Sequence, residues 1–290
     1  MTLVEIFSSD FLREIILRAT VVGILVSVCS SLLGVCLVMR RYSMIGDGLS
    51  HVGYFALALG TLAGVSNTFS MEAAVPVVIA AAILILKLDS SPKISGDAAC
   101  AIVSTGSVAL GTIIFSVSGS STSDICASLF GSSSVLTVTS KDMILSVALS
   151  AAVILWFILF ARQIFAVSFD SQFAASAGCK TGAFGTTLAI LTAITIVIGM
   201  KMMGAIMISA LIVFPAMSAI QVCGSFKGVV ICSAAVSLVT FIVGFTAACL
   251  MSLQTGAAVV TCQLIVFVIF TVFASVRRSI ANRKAASNAA

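Results

Sequence analysis

Residues 40–51 read RRYSMIGDGLSH, and they join two long apolar runs of this 290-residue chain. The stretch contains the only histidine of the sequence, His51, four positions after Asp47. On a helix this spacing places the carboxylate and the imidazole on one face, one turn apart. Because ionisable groups are costly inside a membrane, a pair of this kind predicts a functional site.

The composition around this stretch is that of a membrane protein. Apolar residues make up 60% of the chain and charged residues 9%, and the mean hydropathy is +1.26. Soluble domains carry about 25% charged residues. The apolar runs are too many and too internal for a cleaved signal peptide. The formal net charge of +5 is spread over loops, so nucleic-acid binding is not expected.

Apolar runs of about 20 residues between polar breaks predict an all-α, polytopic transmembrane helical bundle with about nine spans. The predicted spans are residues 15–39, 46–65, 73–88, 98–117, 142–161, 183–200, 203–222, 228–251 and 257–276. Eight spans with a re-entrant piece are the alternative. Residues 5–18 mix charged and bulky side chains, and they form either an interfacial amphipathic helix or the start of the first span.

The distribution of Lys and Arg predicts the orientation of the bundle. With nine spans, the side that holds Arg40 and Arg41 carries 11 basic residues, and the other side carries four, which are Arg13, Arg18, Lys141 and Lys201. We therefore expect the N-terminus outside the cell. Residues 1–276 would form the transmembrane domain, followed by a basic, disordered cytoplasmic tail at residues 277–290.

The longest inner segment before the tail, residues 162–182, is expected to hold a cytoplasmic helix. Within it, residues 168–178 begin with possible N-cap residues and end at a glycine. Phe169 and Phe173 lie four positions apart and are predicted to share one helical face. Such a helix would serve as a partner surface or would lie on the membrane. Residues 116–140, rich in Ser, Thr and Gly, predict an outer loop or a short re-entrant helix.

Asp47 and His51 are candidate metal ligands, since a carboxylate with an imidazole suits Zn²⁺, Mn²⁺ or Fe²⁺. Two ligands are too few for a tight site. A symmetric homodimer would double them to four, and a transported ion needs only a weak, open site. The alternative is a buried hydrogen bond that fixes helix packing, and the chemistry alone leaves both readings open.

Other conspicuous residues have simpler interpretations. Arg40 and Arg41 are predicted to be positive-inside anchors. Pro215 lies within an apolar run, where it predicts either a hinge or a static kink. The nine cysteines include no Cys-x-x-Cys pair and are expected to act as small apolar residues. One histidine excludes His-Glu-x-x-His, and neither a nucleophile elbow nor a phosphate loop is present, so the chain is not expected to be an enzyme or to bind ATP.

Several motifs occur in one order along residues 32–270. The basic pair is followed by IGDGLSH at residues 45–51, then SLFG at 128–131 with Asp142 after it, residues 170–178, MGAIMISALIVFPA at 203–216, and LQTGA at 253–257. Together they resemble the bacterial ABC-type permeases for zinc, manganese and iron. Gln254 stands where that family usually has proline. Gly53 and Tyr54 stand where it has small or aliphatic residues, a difference expected to alter the width of the pore.

The resemblance implies a permease subunit of an ATP-binding-cassette importer for divalent Mn, Zn or Fe in the bacterial inner membrane. Asp47 and His51 would line the path of the transported metal, and no permanently bound cofactor is expected. The implied partners are a second permease subunit, identical or a close paralogue, a cytoplasmic ATP-binding subunit and an extracytoplasmic metal-binding protein. The residues implied in ATPase docking are Phe169, Asp170, Gln172, Phe173 and Gly178.

An ion-gradient-driven secondary metal transporter is the alternative function. Such a transporter needs carboxylates within the membrane to relay protons or sodium ions, and the sequence offers few besides Asp47.

Overall fold

A computed structural model describes residues 10–64, 67–89, 96–119, 140–251 and 253–289, and the regular structure in these ranges is entirely helical. The predicted all-α class is therefore confirmed. The helices are α1 (Asp10–Met39), α2 (Ile45–Leu62), α3 (Asn67–Asp89), α4 (Gly96–Val117), α5 (Ser140–Leu159), α6 (Ala161–Phe169), α7 (Ser171–Ser176), α8 (Thr181–Met203), α9 (Ala205–Val222), α10 (Phe226–Met251) and α11 (Thr255–Ala289).

Each predicted span falls mainly on one helix, but not every helix meets the requirements of a membrane span. In the described part of the chain, six helices are long and apolar enough to cross a bilayer, namely α1, α4, α8, α9, α10 and α11. A seventh span results if α5 and α6, bent by 75° at their junction, are counted as one. By length and composition the structure therefore gives six or seven candidate spans, against about nine predicted.

Helix α1 forms the centre of the bundle and packs against α5, α8, α9 and α10. Its residues Val22, Leu33 and Val35 are fully buried. Gly34 lies directly against the backbone of Ile212 on α9, where a Cβ would collide with the Ile212 carbonyl group. Helices in lipid associate through such close contacts between small residues, because the hydrocarbon provides no hydrophobic drive between them.

Serine hydroxyl groups connect α1 to α10 inside this core. The Ser237 hydroxyl donates to the carbonyl oxygen of Ser27 at 2.9 Å, and the Ser233 hydroxyl donates to that of Ser31 at 3.5 Å. All four residues are fully buried. Hydrogen bonds between membrane helices contribute about 0.6 kcal/mol each on average, so these bonds fix the helix register more than they add stability.

Several segments that were predicted to lie on the inner side of the membrane lie together at one end of the bundle. The Arg277 guanidinium donates to the carbonyl oxygen of Val222 at 3.4 Å, and the rings of Phe165 and Phe226 lie 5.2 Å apart. The Arg40 guanidinium lies beside Gly185 at the start of α8. The α1–α2 turn, α6, the α9–α10 turn and Arg277 therefore share one end of the molecule, which we call the basic end.

The inner segment 162–182 differs from its prediction. Asp170 has an extended backbone (φ −147°, ψ 102°), which ends α6 and begins α7. The prediction that Phe169 and Phe173 share the face of one helix is therefore wrong, because the four-residue spacing applies only within a continuous helix. Phe169 instead stacks on Phe165 within α6, with ring centroids 5.9 Å apart.

Several boundaries are also corrected. From Asp10 onward, residues 5–18 belong to the continuous helix α1, whereas residues 5–9 lie outside the described ranges. The tail is helical as far as Ala289 rather than disordered, since it is rich in Ala, Arg and Lys and has neither Gly nor Pro. Lys201 lies within α8, and the chain breaks at Gly204, whose φ of 84° favours glycine.

Two further sequence features have different outcomes. Pro215 is buried inside α9, which continues as one helix from Ala205 to Val222 without unwinding. The SLFG motif at residues 128–131, with most of the predicted outer loop, lies outside the described residues.

Candidate functional site

The predicted carboxylate–imidazole pair lies together on α2. His51 Nε2 is 3.3 Å from Asp47 Oδ1, as the four-residue spacing requires. The His51 side chain is 17% exposed and the Asp47 side chain is 41% exposed. The pair therefore presents one nitrogen and one oxygen at a partly open surface of the chain.

This pair lies near the basic end of the bundle. Asp47 is in the first turn of α2, where the positive end of the helix dipole favours a carboxylate. His51 is six residues after Ile45, which corresponds to about 9 Å along the helix axis. The site is thus within two turns of the segment that contains Arg40 and Arg41.

A second helix contributes to the site through Ser104 of α4. The Ser104 hydroxyl donates to Asp47 Oδ2 at 3.1 Å, and the Ser50 hydroxyl donates to the Asp47 carbonyl oxygen at 2.8 Å. No local sequence pattern points to Ser104, because it is 57 residues away from Asp47. Asp47 therefore has a different polar partner on each carboxylate oxygen.

Close packing of α2 on α4 fixes the position of Ser104. Gly48 lies against Cys100, and a Cβ on this glycine would be 3.4 Å from the Cys100 carbonyl oxygen. Farther along the same interface, Tyr54 is fully buried, with its ring 5.2 Å from that of Phe115 and its hydroxyl 3.5 Å from the hydroxyl of Thr112. Tyr54 thus fills the α2–α4 interface.

The surroundings of the Asp47–His51 pair add no further metal-ligating side chain among the described residues. No group of three or more His, Cys, Asp or Glu side chains suited to a metal occurs within the described ranges. In the same part of the chain, His51 Nδ1 is buried and has no hydrogen-bond partner. Asp47 Oδ1 and His51 Nε2 are the two donor atoms that this chain would offer to a cation.

Arg40 and Arg41 occupy different environments at the basic end. The Arg40 guanidinium lies 5.7 Å above the ring of Tyr42 and borders a small cavity that is also lined by Trp156 and Ser168. Arg41 is exposed and has a φ of 63°. Arg40 is therefore packed between helices at the basic end, whereas Arg41 is exposed.

The residues implied in docking divide into two groups. Asp170 Oδ1 accepts hydrogen bonds from the backbone N–H groups of Gln172 and Phe173, both at 2.9 Å, and so caps α7. Gly178, with a φ of 83°, closes the other end, where the Cys179 N–H donates to the Ala174 carbonyl oxygen at 3.0 Å. The side chains of Phe169 and Phe173 are 76% and 69% exposed. Asp170 and Gly178 thus shape α7, and Phe169 at the end of α6 and Phe173 on α7 are exposed aromatic residues.

A family model described as the ABC 3 transport family matches residues 12–274. The matched range includes α2, α4 and the whole of segment 162–182.

Individual relatives match over similar lengths. The chain is 28% identical over 259 residues to the manganese import system permease protein ScaB of Streptococcus gordonii, covering 89% of this chain and 90% of that protein. It is 31% identical over 268 residues to the probable metal transport system membrane protein of Thermotoga maritima, with 91% of each covered. Among solved structures, PsaBC from Streptococcus pneumoniae in complex with Fab has a TM-score of 0.76 and 26% identity, covering 91% of this chain and 92% of that chain.

Proposed function

This chain belongs to the ABC 3 transport family, and on that premise we propose that it is the membrane permease of an importer for divalent transition-metal ions. The relatives named for manganese or metal transport match it along nearly their full length. The chain is a multi-pass protein of the bacterial inner membrane. ATP hydrolysis takes place in a separate cytoplasmic subunit, and manganese, zinc or iron is the transported ion.

The observation that carries the metal assignment is the distance of 3.3 Å between Asp47 Oδ1 and His51 Nε2. A cation about 2.1 Å from both atoms would subtend an angle of about 100° between them. This angle suits both tetrahedral and octahedral coordination, so the distance between the two atoms is compatible with one ion bound by both side chains. Manganese, zinc and iron all accept such nitrogen and oxygen ligands.

A second permease subunit completes the site. Two ligands from one chain leave at least two coordination positions open, and the Asp47 side chain is 41% exposed. A second copy of this chain, or a close paralogue, brings its own aspartate and histidine across a two-fold axis. Four ligands in two separable halves allow the ion to be held in one state and released in another.

The coupling to ATP hydrolysis takes place at the basic end, through the exposed side chains of Phe169 on α6 and of Gln172 and Phe173 on α7. Exposed aromatic side chains on a capped helix are typical of protein interfaces. The binding protein delivers metal at the opposite end of the bundle. Nine crossings, with α2 and α3 included, put the N-terminus at that opposite end and residues 277–290 in the cytoplasm.

The decisive experiment is uptake of Mn²⁺ or Zn²⁺ by proteoliposomes that contain the permease, its ATPase and its binding protein. We expect uptake that needs internal ATP and falls to background in His51→Ala and Asp47→Ala, because each change removes half of the ligands that one chain supplies. The control is Thr246→Ala on α10, since the Thr246 hydroxyl donates within its own helix to the Ile242 carbonyl oxygen.

Two results would contradict the proposal. Wild-type uptake by His51→Ala would give the pair a structural role. Uptake that depends on an ion gradient and not on ATP would favour the secondary transporter.

A further inference from the structure

Among the residues that the structure describes, Asp47 accepts a hydrogen bond from another helix, and His51, the other proposed ligand, does not. Its Oδ2 atom accepts a hydrogen bond from the Ser104 hydroxyl at 3.1 Å, whereas its Oδ1 atom lies 3.3 Å from His51 Nε2. A carboxylate without the serine could rotate about its terminal bond and exchange the two oxygens. The hydrogen bond from Ser104 on α4 makes the two oxygens different, because it keeps Oδ2 on Ser104 and Oδ1 beside His51.

The position of the Ser104 hydroxyl depends on the packing of α2 against α4 rather than on a flexible loop. Gly48, next to Asp47, contacts Cys100, one turn before Ser104. Tyr54 and Phe115 close the same interface farther along both helices. The donor is therefore held by rigid elements on both sides of the bond.

We infer that Ser104 is a positioning residue for metal recognition, which keeps Asp47 bound to the ion through Oδ1 alone. This inference rests on the proposed function. Hydrogen-bond partners of metal ligands orient the ligand, and their loss typically costs 10-fold to 100-fold in metal affinity. Because Oδ2 already accepts the Ser104 hydroxyl, the carboxylate is oriented before the ion binds. Each aspartate then contributes one oxygen, Oδ1, to the coordination of the ion.

The test is Mn²⁺ binding to the nucleotide-free permease–ATPase complex, followed by the electron paramagnetic resonance signal of free Mn²⁺. Ser104→Ala should weaken binding roughly 10-fold to 100-fold. Ser104→Thr keeps the hydroxyl and should restore binding to near the wild-type value. Ser116→Ala is the matched control on α4, because the Ser116 hydroxyl donates to the Thr112 carbonyl oxygen of its own helix.

A purely structural role for Ser104 predicts a different pattern. It would lower the thermal midpoint of the complex in Ser104→Ala and leave the affinity for Mn²⁺ unchanged. Unchanged or tighter binding by Ser104→Ala overturns the inference, provided that His51→Ala loses the site. If wild type binds Mn²⁺ no better than His51→Ala does, the inference fails because the pair does not hold the ion, and the ATP-dependent uptake assay decides the proposed function separately.

Discussion

Arg41 has a left-handed backbone conformation, which glycine usually adopts at the end of a helix. Its N–H donates to the Val38 carbonyl oxygen at 3.0 Å, and the Tyr42 N–H donates to that of Leu37 at 2.9 Å. These two bonds form the Schellman closure of α1, with Arg41 at the left-handed position. Its φ of 63° is unfavourable for a residue with a Cβ, by about 1–2 kcal/mol.

Replacing each arginine with glycine should therefore change the free energy of unfolding in opposite directions at positions 40 and 41. Arg41→Gly relieves the left-handed strain and should raise the free energy of unfolding by about 1 kcal/mol. Arg40→Gly removes the guanidinium packed over Tyr42 and should lower it by a similar amount or more. Thermal unfolding of the detergent-purified permease measures both. A decrease for Arg41→Gly as large as that for Arg40→Gly would show that the turn is not strained.

Helix α7 has six residues and is stabilised by the capping residues at its two ends. A helix this short is unstable on its own, since nucleation is costly. Asp170 satisfies two N–H groups at its start, and Gly178 provides the left-handed residue after its last turn. The element thus presents Phe173 in one orientation at the basic end of the bundle.

This orientation leads to a prediction for Phe173, the exposed aromatic residue of α7. Phe173→Asp should reduce co-purification of the ATPase by roughly 30-fold, because an aromatic anchor typically contributes about 2 kcal/mol or more to an interface. Phe173→Leu keeps an apolar side chain at the same place and should retain most of the binding. Transport assays should follow the same order.

Retention of the ATPase by Phe173→Asp would assign another role to α7. Phe169 and Phe173 would then each contact the membrane surface, and the coupling surface would lie elsewhere at the basic end, for instance at Lys227 in α10.

At the scale of the whole molecule, the helix ends alternate between two sides of the bundle. Helices α1 and α9 end at the basic end, and α8 and α10 begin there, as the contacts of Arg40, Val222 and Phe226 require. We expect labelling of single introduced cysteines to place residue 2 outside the cell and residue 287 inside, as the basic bias indicates. Labelling of both positions from one side would mean an even number of crossings and would remove α2 or α3 from the spans.

The sequence alone determined the helices and the Asp47–His51 pair. Apolar runs bounded by polar residues must be helical in lipid, because each backbone N–H and C=O group needs a partner within its own segment. The four-residue spacing is likewise a local property of one helix. Both predictions needed no knowledge of which helices touch, and the all-α class and the pair on α2 follow from them.

Only the tertiary structure decided what surrounds that pair. Ser104 reaches Asp47 across 57 residues of chain, Tyr54 is buried because α4 presents Phe115 and Thr112 to it, and Arg40 is enclosed where Arg41 is not. Side chains on the same helix reveal their neighbours through periodicity, whereas contacts between helices depend on which faces meet. That choice is made by close approaches such as those at Gly34 and Gly48, and no local pattern of residues encodes it.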